Sequence, residues 1–481
     1  MSAVAKEVIQ QTQDQAGQDA ISRVFARHQA RALQLRTSTK AERLAKLRRL
    51  REVLEARMDE IYAACHADFK KPATEVDVAE MVPIFAEIKH CERHLGKWMK
   101  GQRVWPTALM LGTKTRVKHE PKGTTLIISP WNYPINLTLM PLVSAIAAGC
   151  TAMIKPSELT PHCSALLKSL CEDAFDGDEV AVFEGEVETS QALLAMPFDH
   201  IFFTGSPAVG KIVMAAAAKH LTSVTLELGG KSPTIVDETA DLKRAAISIM
   251  WGKMSNCGQT CIAPDYLYVH ESVRKDFLKA CQDWLTTAYG ADAKASEHYS
   301  RMVNDRHFER VKGLLDEAIE KGASLDTGGT LDAADNYISP TLLSDVPMDA
   351  RIMEEEIFGP VLPVIGYRDI SEVIAHINAH PKPLALYVFT KNSRLADKVL
   401  NETTAGGSCV NMAMAQYLHI NAPFGGVNNS GIGNSHGLWG FKAFSHERTV
   451  VENKFSMSYW MAPPYTDFVK RLVAFTLKTL K

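Results

Sequence analysis

The chain has 481 residues, 46% hydrophobic and 22% charged, too long for one hydrophobic core and ordinary for a globular protein of two or three co-folded units. A formal net charge of −2 and a pI near 6.8 provide no broad attraction to a polyanion and argue against nucleic acid as a partner. Nine cysteines scattered along the chain, without a dense short framework, favour a reducing cytoplasm over secretion.

The opening MSAVAKEVIQQTQDQAG lacks an apolar core followed by a small-residue cleavage site, so it reads as a polar tail rather than an export signal. Helical periodicity dominates the first hundred residues. Thr39 and Glu42 form a capping-box pattern ahead of Leu44, Leu47, Leu50 and Leu54 on one face. Arg43, Lys46, Arg48, Arg49 and Arg51 are expected to form the solvated face of that helix.

Positions 123–154 carry no charge and are long enough to cross a bilayer. Pro130, Pro134 and Pro141, with Asn132 and Asn136, interrupt them. The better reading is a buried strand (TTLIIS), a turn (PWNYP), an apolar helix ending near Gly149 and a second strand. HIFFTG, SVTLEL and PTIVD continue a strand–helix alternation that predicts a parallel sheet covered by helices. Beyond Leu242 the alternation resumes with strands DYLYVH, LALYVFT and GGSCVN and with helices over 273–289 and 307–321, a second α/β unit. The C-terminal TDFVKRLVAFTLKTLK predicts an amphipathic basic helix with Phe468, Leu472, Phe475 and Leu480 on its apolar side, packed on this protein or a dimer partner, or touching a membrane surface.

Several places combine turn formers with reactive groups. The run from Phe203 to Lys211 follows a strand and opens a helix, where a phosphate is well received, yet it fits neither G-x-G-x-x-G nor a P-loop, since Ile212 stands where Ser or Thr is needed. In NCGQTCIAP, Cys261 fits either a small buried hydrophobe or a loop nucleophile, and no second cysteine or histidine pair lies at zinc-ligand spacing to Cys257 and Cys261. Glu227 ends an apolar strand, where burial would raise its pKa towards that of a base, or where it would pair with Lys231 or a distant arginine. Asn132 in PWNYP offers an oxyanion donor, whereas Lys155 and Glu158 in KPSE, and Glu356 in EEIFGP, stand where ribose hydroxyls are bound, or simply in turns.

In this order and spacing, over positions 37–448, these blocks resemble the aldehyde dehydrogenase superfamily. The wording KIVMAAAAKHLTSVTLELGGKSP, WGKMSNCGQTCIAPDY, KPLALYVFT and PFGGVNNSG is most similar to its class 3 branch, which includes fatty and aromatic aldehyde dehydrogenases. The resemblance implies a Rossmann-like α/β cofactor domain at 1–104 and 126–226 and an α/β catalytic domain at 227–412. It further implies a small β bridging and oligomerisation element at 105–125 and 413–450, leaving 451–481 as an amphipathic tail.

It makes Cys261 the nucleophile, Asn132 an oxyanion donor and Glu227 the base that activates water against a thioester. Cofactor contacts fall on Trp131, Lys155, Ser157, Glu158, Gly205, Ser206, Val209, Glu356 and Phe358, with no metal. Glu158 would repel a 2′-phosphate, which favours NAD, with NADP also accepted. A cytoplasmic homodimer acting on a medium-chain, long-chain or aromatic aldehyde follows, its C-terminal helix packed on this protein or the dimer partner, with peripheral membrane contact as the lesser alternative. Met412, Met414 and Gln416 depart from the branch's polar pattern at the expected substrate entrance. Two rivals are a CoA-acylating enzyme, which commonly lacks the base seen at Glu227, and a non-catalytic relative, which intact Cys261, Glu227, Asn132 and Lys155 argue against.

Overall fold

A computed structural model describes residues 3–107, 110–455 and 462–480, the side chains of 3–16 and 480 excepted. Two main sheets organise it. The first has six strands in the spatial order Gly431–Ile432, Ser223–Leu228, His200–Gly205, Thr124–Ile128, Thr151–Lys155 and Val180–Val182. All neighbours are parallel except Gly431–Ile432, which runs antiparallel to Ser223–Leu228. Strand alternation feeds two cores: Ile127, Ile154 and Phe202 face one side, and Leu126, Met153, Ile201, Phe203 and Leu226 the other. Helices cover both faces, which makes this a doubly wound α/β unit.

The second sheet has seven strands, in the order Ser324–Thr327, Thr341–Ser344, Val361–Tyr367, Tyr266–His270, Pro233–Val236, Ala385–Phe389 and Gly407–Val410. All the strands read from the sequence are present in these two sheets. Val361–Tyr367, in the middle of the second sheet, was not legible because Pro363 and Gly366 interrupt its apolar run. Pro363 pairs only with Leu343; the register with Tyr266–His270 begins at Val364. A separate antiparallel sheet joins Gln102–Val104, Thr113–Pro121 and Ser445–Asn453.

The helix Asn136–Ala148 lies buried along its length, with Pro141 inside it, so the charge-free stretch is core rather than a bilayer span. Among the described residues no helix is long and apolar enough to cross a membrane.

Two expectations need correction. Arg43 is not on a solvated face: it is 5% exposed, and its guanidinium donates to the carbonyls of Ala147 (3.0 Å) and Ala148 (2.7 Å). It thereby satisfies two carbonyls that the end of the buried helix leaves without intrahelical partners. Gly149 accommodates it, because a Cβ there, at φ +89°, would lie 2.6 Å from the Arg43 guanidinium. The polar N-terminal tail is also helical, within Ala3–Leu35. Ile21 and Phe25 anchor that helix on the first sheet, and helix-forming residues without proline extend it backwards.

The C-terminal helix spans Asp467–Leu480, with Val469 buried and Phe468, Val473, Phe475 and Leu477 exposed. The expected contact of the Leu480 side chain lies outside the described residues.

Candidate active site

The loop that carries Cys261 is shaped by three successive left-handed residues, Asn256 (φ 51°), Cys257 (φ 53°) and Gly258 (φ 74°). Side chains strain this conformation, and hydrogen bonds hold it in place. The Asn256 N–H donates to Glu75 Oε1 at 2.6 Å, and Asn256 Nδ2 donates to the Asn132 carbonyl at 2.8 Å. Gln259 donates through Nε2 to the carbonyls of Asn256 and Arg301 and accepts from the Val303 N–H. The loop turns Cys257 into the core, its Sγ 3.6 Å from the Tyr299 hydroxyl, and leaves Cys261 half-buried.

Cys261 stands where three cavities meet. An apolar one of about 370 Å³ is walled by Leu137, Trp251, Trp284, Tyr289, Met414 and Leu418, among others. A small one holds Glu227, Ser435 and His436. The third, of about 280 Å³, brings together Trp131, Asn132, Gly205, Ser206, Glu227, Glu356 and Phe358. The expected catalytic trio and five of the expected cofactor residues thus surround one space. Met414 lines the apolar cavity, while Gln416 turns inward and donates to the Tyr387 hydroxyl at 3.0 Å.

Asn132 is held from both ends. Its Nδ2 donates to the Gln259 carbonyl at 2.9 Å, and its own carbonyl accepts from Lys71 Nζ at 3.1 Å. Lys71 is fully buried, paired with the equally buried Glu80 at 2.9 Å. An Asn amide carries two N–H groups, so a second donor remains for a ligand oxygen.

Among the described residues Glu227 has no ion-pair partner. Lys231 instead meets Asp265 and the carbonyls of Ile352 and Glu355. Glu227 Oε1 accepts from the Ser435 hydroxyl at 3.1 Å, and Oε2 has no partner among the described residues. Burial pushes its pKa up to about 8, the Ser435 hydrogen bond partly opposing the rise. Glu356 rises likewise to about 8, through burial and the nearby Asp265, with Oε1 accepting from the Gly230 N–H at 3.1 Å. Burial, reinforced by Glu356 and Glu227, pushes the Cys261 thiol up to about 12.

On the cofactor side, Ser206 caps the helix Pro207–Ala218 by accepting from the Val209 N–H at 3.4 Å. Val209 itself is exposed on the first turn. Lys155 ends its strand and pairs with Glu158, whose carboxyl is held below the usual range by that pairing and a backbone hydrogen bond against opposing burial. Ser157 accepts from the Leu159 N–H at 3.3 Å, and these three residues lie outside the cavity at Cys261.

Sequence reasoning missed His307, Arg310, Ser435 and His436. Arg310 fixes the Glu356–Phe358 turn by donating to the carbonyls of Glu356 and Ile357, and His307 packs edge-on to Trp131 at 4.7 Å. Both come from the amphipathic helix Asp305–Glu320, whose polar residues give no sign of pointing inward. PFGGVNNSG carries no local signal beyond its likeness to a family motif. It forms a ribbon on the Glu227 strand, pairing Gly431 with Glu227 and supplying the Ser430 carbonyl to the Leu228 N–H at 3.0 Å.

The family model for the aldehyde dehydrogenase family matches residues 1–450. The 4,4′-diaponeurosporen-aldehyde dehydrogenase of Staphylococcus aureus is 42% identical over 90% of this chain and 94% of its own. A dimeric NADP-preferring aldehyde dehydrogenase of Rattus norvegicus is 42% identical over 85% of this chain and 89% of its own. The solved substrate-bound state of Staphylococcus aureus AldH superposes with a TM-score of 0.91 at 40% identity, covering 95% of this chain and 99% of that one. The chain belongs to the aldehyde dehydrogenase family and is an NAD(P)-dependent oxidoreductase that converts an aldehyde to its carboxylic acid.

Proposed function

We propose that this enzyme is a hydrolytic aldehyde dehydrogenase in which Cys261 carries the acyl group and Glu227 activates the water that releases it. The observation that supports this most is the placement of a buried carboxyl with a free Oε2 beside the cavity that Cys261 shares. The Cys261 thiolate adds to the aldehyde carbon, and the Asn132 amide and the Cys261 N–H donate to the oxygen as it becomes negative. A bound NAD(P)+ supplies the hydride acceptor. A thioester then remains on Cys261, and Glu227 takes a proton from the attacking water, so that the carboxylate leaves and the thiolate returns.

The residues around the third cavity suit a dinucleotide. Gly205 and Gly229 leave room at the strand ends, and at Gly229 a Cβ would lie 2.4 Å from Glu356 Oε2. The helix opening at Ser206 favours a pyrophosphate, Trp131 and Phe358 offer aromatic walls, and the carboxylates of Glu356 and Glu158 suit ribose hydroxyls. Trp131, Lys155, Ser157, Glu158, Gly205, Ser206, Val209, Glu356 and Phe358 are our cofactor residues. Glu158 favours NAD, with NADP accepted.

The apolar cavity suits a medium-chain, long-chain or aromatic aldehyde. The division into a cofactor part (1–104, 126–226), a catalytic part (227–412), a bridging part (105–125, 413–450) and a tail (451–481) belongs to the same reading. So does a cytoplasmic homodimer; the exposed Phe475 and Leu477 make peripheral membrane contact the lesser alternative to packing on the dimer partner.

The test is absorbance at 340 nm with NAD or NADP and straight-chain and aromatic aldehydes, with and without CoA. NADH formation without CoA is expected; a requirement for CoA would establish acyl transfer instead.

A further inference from the structure

The residues that hold Glu227 form a chain two members long. Ser435 Oγ lies 3.1 Å from Glu227 Oε1 and 2.9 Å from His436 Nδ1. His436 adopts φ 73° and ψ 134°, a conformation that a side chain strains. The next residue, Gly437 at φ 50°, donates its N–H to both oxygens of the buried Glu87, at 2.9 and 3.1 Å. That clamp fixes the strained turn and drives the imidazole inward, edge-on to Tyr417 at 4.7 Å and tilted on Phe424 at 5.1 Å. Strain of this kind persists where the surroundings over-determine a geometry, and here it ends on a carboxyl in the reacting cavity.

We infer that Ser435 and His436 are positioning residues for the hydrolytic step. His436 Nδ1–H donates to Ser435 Oγ, and Ser435 Oγ–H donates to Glu227 Oε1, which leaves Oε2 as the oxygen that takes the proton from water. This rests on the reading of Glu227 as the base. Burial among Tyr417 and Phe424 keeps the imidazole neutral, its pKa lowered to about 4, so the chain orients without itself titrating in the working range. The titratable groups facing this cavity are Cys261, Tyr417, His436 and Glu227 itself, with Glu87 behind the Gly437 turn and Glu356 on the cofactor side. Of these groups, Glu227, Glu356 and Glu87 sit near neutrality, with values of about 8, 8 and 7.

Ser435→Ala removes the hydrogen bond that holds the carboxylate form, so the pH midpoint of thioester hydrolysis should move upward. A midpoint one pH unit higher means about tenfold slower turnover at pH 7. The experiment is stopped-flow NADH formation by the full-length enzyme between pH 6 and 9.5, which separates the first-turnover burst from the steady state. The expected result for Ser435→Ala is an unchanged burst rate, a slowed steady state and a raised midpoint. Ser435→Thr should restore the steady state and the midpoint, and His436→Phe should behave like Ser435→Ala. A Ser435→Ala enzyme with the wild-type midpoint and burst-to-steady-state ratio would overturn the inference. Glu227→Gln, run alongside, separates the two claims: full steady-state turnover there removes the base itself, whereas a stall there with no effect at Ser435 removes only the positioning role.

Discussion

Gly258 passes so close to the Gly359 carbonyl oxygen that a Cβ on it would lie 2.2 Å away. The contact joins the loop that presents Cys261 to the Phe358–Gly359 turn on the cofactor side, across a sequence separation that no local pattern signals. Because Gly258 also has φ +74°, Gly258→Ala has neither the conformation nor the space it needs. Displacement of the loop by about 1 Å is expected to lower kcat roughly a hundredfold. Comparing kcat with the thermal unfolding midpoint checks it: a stable, fully active variant would show that the contact has no bearing on the site.

The two cysteines of the loop should differ in kind. Cys261→Ala is expected to abolish oxidation. Cys257→Ala removes a small buried group that packs under Tyr299, and should retain most activity with a modest loss of stability, about 1–2 kcal/mol. Steady-state assays and urea titration of both variants check it.

The site titrates in a definite direction. Glu227, with its pKa raised to about 8, is protonated below that pH and is a base only above it. Steady-state turnover limited by hydrolysis should therefore rise about tenfold per pH unit below 8 and level off above it. Cys261, raised to about 12, is a thiol at neutral pH in the ligand-free protein. Its alkylation by iodoacetamide should be slow at pH 7 and should accelerate through pH 10. A plateau of alkylation already at pH 7 would show that the thiol is ionised at rest.

Asn132 depends on a buried pair. Lys71 and Glu80 are both 0% exposed, and Lys71 also holds the Asn132 carbonyl. Lys71→Met leaves the buried Glu80 without its counter-charge, held only by the Asn136 N–H at 2.8 Å, which is expected to destabilise by about 3–5 kcal/mol. The double variant Lys71→Met, Glu80→Gln should recover part of that stability but not the activity, since the Asn132 turn stays unsupported. Denaturant titration combined with kcat separates the two effects.

Arg43 offers a test of the fold away from the chemistry. Arg43→Ala leaves the Ala147 and Ala148 carbonyls buried and without that donor, at a cost of about 2–3 kcal/mol. Urea unfolding should show it, with KM unchanged.

These residues also show where the sequence was informative. Strands such as His200–Gly205 and Ser223–Leu228 were readable because unbroken apolar runs between turn residues have one physical solution, a buried parallel strand. Val361–Tyr367 was hidden because Pro363 breaks that pattern, and it is tolerated where one edge of the residue has no register partner. Arg43 was misread because a charge on a helix looks the same whether it meets water or two carbonyl oxygens. Cys261, Glu227 and Asn132 were singled out by residue type and family resemblance, and they line one space. Ser435 and His436 were not, because their meaning lies in a strained turn and a contact to Glu227 far along the chain.

The most direct test of the account is rapid quench of Glu227→Gln with NAD and an aldehyde, followed by mass spectrometry of the Cys261 peptide. We predict one NADH per site, then a stall, with the acyl mass on Cys261. Continued turnover at the wild-type rate, or a burst with no acyl adduct on that peptide, would contradict it.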